Sequence, residues 1–147
     1  FLLFGAAARA VEPAEPAFLP AEQVNAYRYL ADKAEPGDLV LSDFTTGNSL
    51  PAWAPVRVVF GHGPESINLD YWRKEADTWL REDYGLDPCR GWFEEIGLKY
   101  LFWGPDERNR WTYNPEGKSC LRDMYNSGDY QIYRYEDPLI RMDTADE

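Results

Sequence analysis

The sequence predicts a small three-layer α/β domain of the Rossmann-like kind, with a mostly parallel sheet of about four strands and an edge strand that can run antiparallel. Three observations carry this. Short apolar strand candidates alternate with amphipathic helix candidates, the pattern that builds a sheet covered on both faces. Each of the first three strands runs straight into a polar, turn-rich segment: DLVLSDFTTGNS from Asp38, VRVVFGHGPES from Val56 and LKYLFWGPDER from Leu98. The chain is 147 residues long, the size of one ordinary domain with one core. If the strands are parallel, the three loops gather on one edge of the sheet, where α/β folds place ligand sites.

The N-terminal residues 1–10, FLLFGAAARA, are apolar but fall short of the ~20 residues a membrane helix needs. They read as the end of a truncated transmembrane helix or as an apolar N-terminal element of the domain itself. Residues 11–20, VEPAEPAFLP, form a Pro-rich, acidic spacer suited to a semi-rigid linker. The α/β domain is assigned to residues 21–136, and residues 137–147 to an acidic tail.

Within the domain, Pro20 can open a helix in which Val24, Tyr27, Leu30, Ala31 and Ala34 recur at helical spacing until Pro36-Gly37 stops it. A strand follows at 38–42, then a crossover with one or two helical turns near Pro51, then a strand at 56–60. Asn68 suits the N-cap of the next helix, whose Leu69, Trp72, Ala76, Trp79 and Leu80 share one face. Asp70 with Lys74 and Asp77 with Arg81 are acid-before-base pairs on its outer side. Asp87 and Pro88 open a third helix that places Trp92, Phe93 and Ile96 inward and ends at Gly97, ahead of the strand at 98–103. Residues 121–125 read as a short helix, followed by a Ser-Gly turn and a closing edge strand over 129–135.

The composition limits the partners. A formal net charge of −11 repels phosphate backbones and anionic head groups, which argues against nucleic acid. Six Trp and ten Tyr supply large rings for a core or a groove and favour an ordered fold. The sequence carries no metal-ligand spacing, and the first loop has no Gly-Lys-Ser/Thr ending, so a phosphate loop is excluded. Gly61-His62-Gly63 is too short for a dinucleotide fingerprint. No cofactor is therefore expected.

The candidate ligand-binding residues are those of the three loops: Asp43, Thr46 and Asn48 in the first, His62 in the second, and Trp103, Glu107 and Arg108 in the third. His62 is the sole histidine, and because an unperturbed imidazole titrates near neutrality it suits a general base or a ligand-binding donor. Glu107 and Arg108 also read as a self-paired surface turn, which contributes little to stability. Cys89 falls in a helix first turn, where a thiol pKa drops, and Cys120 precedes the next helix candidate. An inter-loop disulfide between them fits an oxidising compartment and outranks a reactive thiol.

The segments AYRYLADKAEPGDLVLSDFTTGNSLPAWAPVRVVFGHGPES, FEEIGLKYLFWGPDER and GDYQIYRYE resemble the extramembrane C-terminal domain of bacterial polytopic glycosyltransferases of the GT-C type, related to dolichyl-phosphate-mannose-dependent mannosyltransferases. The resemblance spans residues 21–136. It implies a non-catalytic domain on the extracytoplasmic side of the cell membrane, partnered by the transmembrane portion of the same chain and by a glycan or lipid-linked sugar. It also implies that the catalytic acid lies in a loop outside this segment, so no catalytic residue is carried over. Two other readings compete: a small-ligand or carbohydrate-binding module with Asp43, Asn48, His62 and Trp103 lining the cleft, and an autonomous hydrolase or transferase using His62 with Asp43 or Glu107.

Overall fold

The computed structural model describes residues 18–61 and 67–137. Helix α1 (Ala21–Lys33) buries Gln23, Ala26, Tyr27 and Leu30, one stripe of a 3.6-residue period, and leads through a turn to β1 (Leu39–Leu41). Asp43 then caps α2 (Phe44–Ser49): its Oδ1 accepts the Thr45 N–H at 3.0 Å. A 3₁₀ turn at Leu50–Ala52 completes the crossover to β2 (Arg57–Val58). The chain continues through α3 (Leu69–Trp79), a second 3₁₀ turn at Glu82–Tyr84, the single-turn α4 (Trp92–Glu95), β3 (Tyr100–Trp103) and α5 (Pro105–Arg110). It ends in the hairpin β4 (Leu121–Ser127) and β5 (Tyr130–Tyr135).

The sheet order is β2-β1-β3-β5-β4. β1 pairs in parallel with β2 and with β3, so the ends of β1, β2 and β3 do open onto one edge. β3–β5 and β5–β4 are antiparallel and carry most of the register, from Tyr100↔Arg134 to Trp103↔Gln131 and from Leu121↔Tyr135 to Ser127↔Tyr130. The domain is thus α/β with a five-stranded mixed sheet, and the expectation of a mostly parallel, four-stranded Rossmann-like sheet is corrected.

The cause lies in one segment. Residues 121–125, read as a helix, are the start of β4, because Leu121, Met124 and Tyr125 sit at i, i+3 and i+4 and imitate helical spacing. A register shift between Asp123 and Tyr125, a β-bulge, breaks the two-residue alternation that would have marked a strand. The closing strand, read as an edge, is interior, since β4 folds back over it through Gly128-Asp129, with Gly128 at φ +57°.

Alternating residues divide the core. Val40, Tyr100, Phe102, Tyr130 and Ile132 pack with Ala26, Tyr27 and Leu30 of α1 on one face. Leu41, Leu101, Trp103 and Tyr133 pack with Ala76, Leu80, Trp92 and Phe93 on the other. Directly opposed pairs such as Leu101↔Tyr133 and Phe102↔Ile132 share a face, as antiparallel pairing requires.

Some local expectations also change. Asn68 takes the N-cap position of α3 in the left-handed region, φ 57° and ψ 39°, and makes no side-chain cap hydrogen bond. Asp77 turns to Arg110 rather than to Arg81. No helix among the described residues is long and apolar enough to cross a membrane. Residues 1–17 and 138–147, which hold the apolar start, most of the linker and nearly all of the acidic tail, lie outside the described residues.

Candidate functional site

The edge at which β1 and β3 end is organised by one carboxylate. α5 opens on Gly104-Pro105, with Pro at the first helical position and Glu107 at the third, the arrangement that lets an acid reach back to the helix start. Glu107 does so: its Oε2 accepts the Gly104 N–H at 2.8 Å. Its Oε1 crosses to the neighbouring strand end and accepts the Asp43 N–H, also at 2.8 Å. The Thr46 hydroxyl is a third polar neighbour of the same group.

Glu107 is fully buried. Burial disfavours its charged form and pushes the pKa up to about 7, against the opposing pull of the Asp43 and Gly104 amides and the Thr46 hydroxyl. The adjacent Asp106 is also raised, first by partial burial and then by the negative charge of Asp43. Gly104 has no room for a side chain: a Cβ there would lie 2.9 Å from the Tyr130 ring and 3.1 Å from Glu107 Oε2.

Around this acid, Arg110 joins three elements. Its Nε and Nη2 donate to Asp77 Oδ1 and Oδ2 of α3 at 2.8 and 2.9 Å, while Nη1 lies 3.5 Å from Asp43 Oδ2. The Trp111 indole Nε1 donates to Asp77 Oδ1 at 2.9 Å. Trp111 stacks on Trp103 with ring centroids 6.0 Å apart and an interplanar angle of 20°. At the end of β2, Gly61 and Gly47 bring two backbones together: a Cβ on Gly47 would lie 2.2 Å from the Phe60 carbonyl oxygen, and one on Gly61 2.5 Å from that of Gly47.

Of the candidate residues, the structure brings together Asp43, Thr46 and Glu107, all buried. Trp103 is buried in the core, facing Trp111 and Tyr113 rather than a cleft. Arg108 is exposed and turned away from Glu107. It donates to the Asp129 carbonyl and, at 3.0 Å, to Gln131 Oε1, so it clasps the β4–β5 hairpin, and the self-paired Glu107–Arg108 turn is not made. Asn48 is half-buried in α2. His62 lies outside the described residues, so its distance to either acid is not defined.

The link of Asp77 to Arg110 and Trp111 escaped the sequence because it spans more than thirty residues and no local pattern encodes it. Glu107 had a signal, the Gly-Pro-x-Glu helix start, which points to a capping carboxylate rather than a surface pair.

Cys89 and Cys120 are joined by a disulfide with Cα atoms 5.6 Å apart, buried in the core on the α3–α4 face. Cys120 immediately precedes a strand, not a helix start. A groove of about 220 Å³ lies elsewhere, beside the edge strand β2, lined by Leu39, Arg57, Val58, Val59, Trp72 and Ile96 and by none of the candidate residues. Among the described residues no cluster of three or more His, Cys, Asp or Glu side chains is placed to hold a metal ion.

Among solved structures, the chain is similar to the C-terminal globular domain of an oligosaccharyltransferase from Archaeoglobus fulgidus. The TM-score is 0.56 at 12% sequence identity, over 81% of this chain and 99% of that domain. At this identity the likeness is one of fold. No family model matches the sequence, and no curated protein does.

Proposed function

We propose that this chain is a non-catalytic domain of a membrane-bound glycosyltransferase, on the extracytoplasmic side, whose loop edge contacts the membrane-embedded part of the same protein, the acceptor or the glycan. The observation that carries the reading is the shared fold: nearly the whole of a globular domain of an oligosaccharyltransferase is matched by this chain. Within the glycosyltransferases, the loop segments quoted above favour the polytopic enzymes that resemble dolichyl-phosphate-mannose-dependent mannosyltransferases. The Cys89–Cys120 disulfide supports an oxidising compartment.

The edge itself is built for support more than for chemistry. Both oxygens of Glu107 are occupied by backbone amides, and Asp43 caps a helix and faces Arg110. Exposed neighbours such as Thr45 can touch a partner.

The test places a photo-crosslinking amino acid at Thr45 in the full-length protein in its native membrane, with a control at Asp32, near the start of β1 at the opposite edge. Crosslinks from position 45 to membrane-spanning segments of the same chain, or to a lipid-linked sugar, are expected, with few from position 32. A full-length sequence without multiple membrane spans, or crosslinks equal from both positions, overturns the reading.

A further inference from the structure

We propose that Glu107 is a proton-operated latch between the β1–α2 and β3–α5 turns, so that the cohesion of the loop edge depends on whether this carboxyl holds a proton. The geometry places a single side chain across two turns, reaching in one of them an amide 64 residues away in sequence. One oxygen holds the Asp43 amide and the other the Gly104 amide. Those amides belong to the two strand ends on which the edge is built.

The groups that face the carboxyl from each packed element do not neutralise it. From the start of α2 come Asp43, itself an acid, and the uncharged Thr46. From α5 come Asp106, another acid, and two arginines that are engaged elsewhere: Arg110 with Asp77 and Asp43, Arg108 with the hairpin. From β5 comes the uncharged Tyr130 ring, which packs against Gly104. Asp77 of α3 is bound by Arg110 and Trp111. A negative charge on Glu107 is therefore held by amide and hydroxyl dipoles in a fully buried position.

The Thr46 hydroxyl lets the latch exist in two forms. It donates to the carboxylate, and it can rotate to accept from the protonated acid, because a hydroxyl does either. Burial raises the pKa to about 7, so the two forms exchange near neutrality. The sign follows from that direction. A carboxyl with a raised folded-state pKa adds stability that is fully present below the unfolded Glu value and is lost as pH rises through about 7. The edge is thus tighter below neutrality and opens more readily above it.

This inference stands apart from the proposed partner, since a carboxyl that titrates normally would remove the latch and leave a contact surface in place. The first measurement is a ¹³C side-chain titration of Glu107 in the unaltered protein. A midpoint near 7 is expected, and one near the ordinary carboxylate value overturns the proposal. The second is amide hydrogen exchange at Asp43 and Gly104, corrected for intrinsic rates, at pH 5.5 and pH 8. Opening at both amides should rise together, by roughly 30-fold between the two pH values, and E107Q should abolish the pH dependence. Opening that is independent of pH in the wild type, or that keeps the same pH dependence in E107Q, overturns it.

Discussion

Arg110 lies against Asp77 in a two-bond fork, Nε to Oδ1 at 2.8 Å and Nη2 to Oδ2 at 2.9 Å, and so fastens the end of α5 to the outer half of α3. The pair is partly exposed, with side-chain exposures of 26% and 42%, so solvent weakens it. Its fork geometry and the added Trp111 bond place it at the strong end of surface pairs. A double-mutant cycle of Asp77→Asn and Arg110→Ala, read by urea unfolding, should give a coupling of about 1 kcal/mol that shrinks in high salt. A coupling indistinguishable from zero would mean the fork is ornamental.

Gly47 tests the backbone crossing. A methyl group at this position meets the Phe60 carbonyl oxygen at 2.2 Å, and that oxygen belongs to backbone that cannot swing aside. Gly47→Ala should therefore destabilise the fold by about 1–3 kcal/mol, although alanine is ordinarily the better helix former. Denaturant midpoints decide the sign: a stabilised Ala variant would show that the two segments separate at no cost.

Reduction of the Cys89–Cys120 disulfide opens a loop that joins residues 31 apart in sequence. Loss of that cross-link should lower stability by roughly 2–4 kcal/mol. Unfolding with and without dithiothreitol measures it, with Cys89→Ala/Cys120→Ala as the control. Identical midpoints in both redox conditions would count against the bond in solution.

Burial of Glu107 also has a global signature. With its pKa raised to about 7, the wild type should lose stability relative to E107Q as pH rises from 5 to 8, by an amount on the order of 3 kcal/mol. Gln presents an NH₂ group to a site of amide donors, so E107Q should be the less stable protein at pH 5, and the gap should narrow toward pH 8. Parallel curves for the two proteins would contradict the buried charge.

A polar core link offers a simpler test. Gln23 Nε2 donates to the Tyr27 hydroxyl at 2.8 Å, and that hydroxyl lies 2.7 Å from Ser49 Oγ, joining α1 to the end of α2. Tyr27→Phe should cost about 1–2 kcal/mol, because it leaves the Gln23 amide without that acceptor. Thermal unfolding of the variant, compared with Ser49→Ala, separates loss of the bond from loss of packing.

The first half of the domain was legible because its signals are local. The stripe of Tyr27 and Leu30, the Pro36-Gly37 stop and the apolar runs at 39–41 and 56–59 each state their structure within a few residues. The convergence of the loops followed from parallel pairing of β1, β2 and β3, which the alternation of strand and helix implies. The second half was misread where the bulge beside Asp123 shifted Met124 and Tyr125 into a helical rhythm. At the site, Glu107 hid because one of its two amide partners, Asp43, lies 64 residues away in sequence, a relation that tertiary packing alone creates.

The borders of the sheet bear on how copies of this molecule meet. On one side β2 offers only two residues of open backbone, and on the other β4 carries exposed Arg122 and Asp123 beside its irregularity. An incoming strand would find too little length at the first border, and charge with a broken ladder at the second. A sheet with five strands and two ends can then sit crowded at a surface without zipping into its neighbours.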